Sequence, residues 1–201
     1  PRPPAPAPPP IPAPDFVGRA DELAWLVEAF TATQNGNGRF CIVRGESGVG
    51  KSRLIAEMLN NSGESATLFH GRGHEFEAMI PYSLMAQATQ MAAPTLPWSQ
   101  FDPPPTWLNG LAPLLPQLAD YLPTAGAMAT GGSESHHIIE AVGRLLLTLS
   151  KALPVVLYLD NLHWADMPTW NLLGYLAQQA SNSRLLIIGA VRVEDMPPDR
   201  S

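Results

Sequence analysis

The sequence predicts an α/β fold with a mainly parallel sheet. Short apolar segments alternate along the chain with segments of helical periodicity. Two apolar segments, residues 154–160 and 184–190, are almost free of polar residues, as strands covered on both faces are. A glycine-rich stretch also connects one predicted strand directly to a predicted helix. These observations together favour helices packed on both faces of the sheet.

Each element has its own local signal. The predicted strands are short runs rich in apolar and β-branched residues, and the predicted helices carry apolar residues three and four positions apart. We predict buried strands at residues 39–44, 154–160 and 184–190, a further strand at 66–71, and helices at 20–30, 51–60, 82–92, 133–152 and 169–180.

Composition limits the kind of protein. The chain has 201 residues, of which 45% are hydrophobic, and a net charge of −6. These values predict a soluble globular domain and argue against direct nucleic-acid contact, which needs a basic face. No apolar run is long enough to cross a bilayer, so we expect no membrane contact. The single cysteine, Cys41, excludes an internal disulfide and favours a reducing, cytoplasmic location.

Two regions differ from the rest. Residues 1–14 are mostly proline and alanine, which predicts an extended, semi-rigid linker before a domain at residues 15–201. Residues 93–131 are interrupted by prolines and glycines, and we expect an irregular insertion of short helices and loops. We interpret the chain as a piece of a longer protein whose other domains are its partners.

The clearest functional signal is a glycine-rich loop ending in lysine and serine. Residues 45–52 match the pattern G-x-x-x-x-G-K-[ST] in full, between a predicted strand and a predicted helix. Glycines let the backbone curl so that successive N–H groups face phosphate oxygens, and the helix N-terminus favours the same anion. We expect Lys51 to bridge the β- and γ-phosphates and Ser52 to bind Mg²⁺. The predicted nucleotide-binding residues are Gly45, Glu46, Ser47, Gly48, Val49, Gly50, Lys51, Ser52 and Arg53.

An acidic residue ends the predicted strand at residues 154–160. Ligands bind at the carboxyl edge of such sheets, so we predict that Asp160 contacts the Mg²⁺, directly or through water. The next residue, Asn161, can orient a water molecule but cannot accept its proton, which predicts slow hydrolysis. Asp166 is a candidate for the general base that Asn161 cannot be, although we favour a role at the start of a helix.

These segments resemble a known family. Residues 16–19, the loop with its continuation Arg53-Leu54, residues 159–166 and residues 189–192 together resemble the AAA-type (STAND) ATPase module of large bacterial regulators, including LuxR-like and bacterial-activator-domain transcription factors. The resemblance covers most of residues 15–195 but not 93–131. It implies a P-loop NTPase fold with a helical lid beyond the last strand, and ATP or ADP with Mg²⁺ as cofactors.

The resemblance also implies residue roles. Val17, Gly18 and Arg19 would lie beside the adenine and ribose. Arg192, after the last predicted strand, would be a sensor facing the γ-phosphate, acting with Lys51, Asp160 and Asn161 in catalysis. His163 and Trp164 match a family pair whose expected role is packing.

Two functions of different class fit these observations. The first is a nucleotide switch, a weak ATPase that converts ATP and water to ADP and phosphate and regulates signalling or transcription through other domains. We expect nucleotide-dependent self-association in that case. The alternative is a continuously turning-over AAA+-type ATPase that remodels protein or nucleic-acid partners.

Overall fold

The structure, a computed structural model, describes residues 18–61, 66–98, 107, 110–122 and 135–192. Within these residues, four parallel strands form one sheet in the order β1-β4-β3-β2. The predicted linker at residues 1–14 lies outside the described part. So does Val17, which is predicted to lie beside the adenine and ribose. The strands are β1 (Arg39–Arg44), β2 (Thr67–Arg72), β3 (Val155–Asp160) and β4 (Leu185–Val191).

Helices lie between the strands along the chain and before β1, and they cover both faces of the sheet. Their described bounds are α1 (Ala20–Gln34), α2 (Lys51–Asn61), α3 (Ser83–Ala92), α4 (Leu118–Tyr121), α5 (Ser135–Ala152) and α6 (Met167–Ala180). Apolar residues of α1 and α2 form one buried cluster with the sheet, and those of α3, α5 and α6 form the other. The α/β fold with helices on both faces is therefore confirmed.

Strand β3 shows how the two layers are separated. Its even-numbered residues Val156 and Tyr158 belong to the cluster with α1 and α2, whereas Leu157 and Leu159 belong to the other. This alternation follows from the period of two in a strand. It directs the next even position, Asp160, towards α2.

Strand β1 departs from the prediction of a buried strand. It pairs with β4 alone among the described strands, and Phe40 and Ile42 are 38% and 37% exposed. Cys41, between them, is buried. A short apolar run does not by itself reveal whether a strand lies in the middle of a sheet or beside a single neighbour.

Some helix and strand ends differ from the prediction by a few residues. Helix α6 begins two residues earlier than predicted because Asp166 caps it, accepting hydrogen bonds from the Thr169 N–H at 2.8 Å and the Thr169 hydroxyl at 2.7 Å. Helix α1 continues to Gln34, next to the predicted break. Strand β2 runs from Thr67 to Arg72 instead of 66–71, which brings Arg72 into the sheet.

The described part of residues 93–131 contributes to the core. The described leucines of this region are buried in the same cluster as residues of α3 and α5. The short helix α4 is part of the region. Among the described residues, no helix is both long and apolar enough to span a membrane. The buried leucines are Leu96, Leu111, Leu114, Leu115, Leu118 and Leu122.

Candidate functional site

The glycine-rich loop connects the end of β1 to the start of α2. Gly48 and Gly50 have φ values of +74° and +91°, a region that glycine enters at little cost and other residues avoid. The Gly45 N–H donates to the carbonyl of Val191 at 3.3 Å, which joins the beginning of the loop to the end of β4. The loop therefore curls at the carboxyl edge of the sheet, as its sequence predicts.

Lys51 braces this loop from inside. Its side-chain Nζ donates to the carbonyl oxygens of Gly45 and Glu46, both at 2.8 Å, and the residue is only 8% exposed. The ammonium thus lies within the curl, where an anion would find a positive charge. The two carbonyls hold the charge in place without neutralising it.

Asp160 lies opposite the loop at the end of β3. The Ser52 hydroxyl donates to Asp160 Oδ2 at 3.3 Å, so the two predicted metal ligands are adjacent. The Tyr158 hydroxyl donates to Ser52 Oγ, also at 3.3 Å, and the Tyr158 ring stacks on His70 with centroids 4.8 Å apart. Burial, the largest cause, raises the pKa of Tyr158 to about 12, so the phenol remains a donor at neutral pH.

Arg72 is a site residue that the sequence interpretation missed. Its Nε and Nη2 atoms each lie 3.1 Å from Asp160 Oδ2. The predicted strand ended at Gly71 and left Arg72 in the following loop, although an arginine near the carboxyl end of a neighbouring parallel strand could have been considered. In the structure, Arg72 and Asp160 are direct partners in the β2–β3 register.

Asn161 adopts a left-handed conformation, with φ of +52°, which asparagine tolerates better than most residues. Its backbone N–H donates to Asp160 Oδ1 at 3.0 Å, and its Nδ2 donates to the carbonyl of Gly73 at 3.2 Å. The carboxamide thus joins the ends of β3 and β2. Asp166, the candidate substitute base, is instead occupied with capping α6.

These groups line one cleft of about 300 Å³. Arg192, directly after β4, reaches the same cleft, and its backbone N–H donates to His163 Nδ1 at 3.4 Å. His163, expected only to pack, therefore also contacts the backbone of Arg192. The structure brings together most of the predicted site and adds Arg72 to it, whereas the predicted Gly45 and Glu46 are not among the lining residues. The cleft is lined by Ser47, Gly48, Val49, Gly50, Lys51, Ser52, Arg53, Arg72, Asp160, Asn161 and Arg192.

A comparison with protein families decides the assignment. The model of the AAA ATPase domain matches residues 15–188, most of the chain. This chain belongs to the AAA ATPase domain family. The family, together with the loop geometry, makes it a nucleotide-binding module.

Comparisons with individual proteins contribute less to the assignment of this AAA domain. No curated protein matches it. A solved structure, that of Drosophila ORC bound to DNA, matches with a TM-score of 0.40 and 12% sequence identity, over 93% of this chain and 48% of that chain. The AAA domain thus spans about half the length of that chain, and the assignment rests on the family match.

Arg19, one of the residues predicted to contact the adenine and ribose, lies beside the cleft rather than in it. Arg19 lines a separate groove of about 440 Å³ with Arg44 and Leu54, between the start of α1 and the end of β1. Gly18 and Arg19 have φ values of +70° and +113°, so the chain turns sharply just before α1. Because Arg44 directly precedes the loop, this groove adjoins the phosphate cradle.

The donor atoms of the AAA domain fit a divalent cation. Mg²⁺ prefers oxygen ligands, and the Ser52 hydroxyl and the buried Asp160 carboxylate supply them next to the phosphate cradle. The contact of Asp160 with the Arg72 guanidinium shows that this carboxylate already attracts a cation. Ser52 and Asp160 are therefore the residues that would hold the metal.

Proposed function

We propose that this AAA domain binds Mg·ATP, hydrolyses it slowly and acts as the nucleotide switch of a larger signalling or transcriptional regulator. The observation that carries the proposal is a contrast within one cleft. Lys51, Ser52 and Asp160 supply the charges and oxygen ligands for binding. At position 161, a carboxylate could accept a proton, but the residue is Asn161, whose side-chain amide donates a hydrogen bond to the carbonyl of Gly73.

Binding follows from charge neutralisation by fixed groups. The loop N–H groups and the N-terminus of α2 face the phosphates, and Lys51 exchanges carbonyl partners for phosphate oxygens. Ser52 and Asp160 would hold Mg²⁺, which would offset the remaining phosphate charge. Arg192, lining the same cleft, adds a cation that can respond to the γ-phosphate.

Hydrolysis is the weaker half of the chemistry. A water molecule attacking the γ-phosphorus must lose a proton, and general-base assistance typically contributes about 10²- to 10⁴-fold. Asn161 can orient that water but cannot take the proton, and Asp166 is engaged with Thr169. A long-lived ATP state follows, which suits a switch better than a motor.

Output from such a switch requires partners. We propose that they are other domains of the same polypeptide, with nucleotide-dependent self-association as the signal. Arg192 supports this idea, because it lines the cleft and its backbone N–H donates to His163, which connects the phosphate region to the corner after β3. Direct nucleic-acid contact is not expected from an acidic domain.

Binding and turnover can be measured on the same chain. Calorimetry should detect Mg·ATP binding, and steady-state phosphate release should be well below about 1 s⁻¹, the lower range of ordinary enzymes. Sedimentation with ATP, with ADP and without nucleotide tests self-association. Absence of Mg·ATP binding would refute the proposal, and turnover at or above about 1 s⁻¹ would favour the remodelling ATPase.

A further inference from the structure

We propose that Arg72 competes with the divalent metal for Asp160 and so makes nucleotide binding less dependent on Mg²⁺. The proposal rests on the proposed Mg·ATP function and adds a positioning residue to the same site. Arg72 is the cation that neutralises Asp160 when no metal does so. Its guanidinium and the metal would use the same carboxylate oxygen.

The hydrogen bonds of Asp160 carry the argument. Its Oδ2 accepts from Arg72 Nε and Nη2 at 3.1 Å and from the Ser52 hydroxyl at 3.3 Å. Its Oδ1 accepts the N–H of Asn161 at 3.0 Å. A carboxylate offers about four lone-pair directions in all. A metal that binds Oδ2 directly must therefore displace the guanidinium.

Burial differs sharply between the two partners. The Asp160 side chain is 7% exposed, and an unpaired carboxylate at that depth is costly, so it requires a cation. The Arg72 side chain is 52% exposed, so water can solvate its guanidinium when it leaves. An ion pair with one solvent-exposed partner is weak enough for a metal ion to replace that partner.

The backbone of Arg72 stays fixed while its side chain can move. The Arg72 N–H donates to the side-chain carbonyl of Gln87 on α3. In the β2–β3 register, the residue remains opposite Asp160. The guanidinium therefore stays close to Asp160 after displacement and can return to the carboxylate when the metal leaves.

Removal of the guanidinium should change two affinities in opposite directions. Without metal, Asp160 would lose its counter-charge and repel the phosphates, so metal-free ATP should bind more weakly. With metal, the competitor for Oδ2 would be gone, so Mg²⁺ should bind more tightly. A merely structural role for Arg72 would weaken both affinities together.

The test compares wild type with Arg72→Met in the 201-residue chain. We would measure the Kd of ATP in EDTA and in saturating Mg²⁺, and the Mg²⁺ concentration that half-restores binding. We expect the Kd in EDTA divided by the Kd in saturating Mg²⁺ to be about tenfold higher in Arg72→Met than in wild type. A change of this size is within the range for a charged hydrogen bond. We also expect the half-restoring Mg²⁺ concentration to fall.

Two further variants separate charge from geometry. Arg144→Met removes the same charge from α5, where Arg144 pairs with Glu140, and should leave both affinities unchanged. Arg72→Lys retains a cation but loses the two-donor fork, and should give an intermediate ratio. The Arg72→Lys variant also keeps the test valid if Arg72→Met folds poorly.

Each outcome addresses one proposal. If wild type binds Mg·ATP but the ratio is unchanged in Arg72→Met and Arg72→Lys, the role of Arg72 is wrong and the proposed function stands. Equal weakening of both affinities would also overturn it, as would a ratio change in Arg144→Met. If wild type fails to bind Mg·ATP, the proposed function fails, and the inference fails with it.

Discussion

Gly50 is the loop position where the backbone conformation can be tested alone. Its φ is +91°, and a Cβ built at this position would have no neighbouring atom within 4 Å. An alanine there would therefore meet no steric clash with the rest of the fold. It would experience only the conformational penalty of a left-handed backbone, about 1–2 kcal/mol for an L-residue.

That penalty sets the expected size of two effects, a fall in Tm and a loss of affinity for Mg·ATP. For a chain of this length, about 1–2 kcal/mol corresponds to a fall in Tm of about 2 to 8 °C. If the loop relaxes instead, its N–H groups turn away from the phosphates, and the affinity for Mg·ATP falls. Each 1.4 kcal/mol lost is about tenfold in Kd, so a loss of about 1–2 kcal/mol would weaken binding about 5- to 30-fold.

Gly174 provides the matched control. It lies inside α6, and a Cβ there would also have no neighbour within 4 Å. Alanine is better than glycine in a helix by about 0.5–1 kcal/mol, so Gly174→Ala should raise Tm and leave nucleotide affinity unchanged. Thermal unfolding followed by circular dichroism and calorimetric titration measure both. Equal Tm changes in the two variants, or undiminished affinity in Gly50→Ala, would refute the reasoning.

Three further predictions test other parts of the molecule. Lys51→Ala should weaken ATP binding by more than about tenfold, because a charged hydrogen bond is worth roughly 1.5–3 kcal/mol, and calorimetry showing unchanged affinity would contradict the loop assignment. Asn161→Asp should raise single-turnover hydrolysis and lower Tm, because it adds a proton acceptor but turns an oxygen towards the Gly73 carbonyl; unchanged turnover would contradict our account of slow hydrolysis. Cys41 is 4% exposed, and burial raises the pKa of its thiol, so iodoacetamide should react slowly until urea unfolds the chain, whereas equal rates would contradict its buried position.

Features that depend on local pattern could be predicted from the sequence. Strands β3 and β4 are buried throughout, as their uninterrupted apolar residues indicate, and the loop motif lies between β1 and α2. Asp160 could be placed because parallel strands present their carboxyl ends at one edge. The interpretation of Asp166 as the start of a helix also rested on a local signal, and its capping bonds agree with it.

Features that depend on which strands become neighbours could not be predicted in the same way. The exposed side chains of β1 result from its place next to β4 alone in the described sheet, and nothing within residues 39–44 specifies strand order. The contact between Arg72 and Asp160 joins residues far apart in the chain. It exists because β2 pairs with β3 in one particular register.

Gly71 explains why that register places Arg72 on the nucleotide side of the sheet. A Cβ at Gly71 would lie 2.4 Å from the carbonyl oxygen of Leu84, so α3 packs against β2 at a distance that only glycine permits. Because successive residues of a strand face opposite sides, Gly71 towards α3 requires Arg72 to face α2, where Asp160 lies. A shift of β2 by one residue would bring a side chain against α3 and turn the guanidinium away from the carboxylate. The small residue that packs the helix thus also orients the cation of the site.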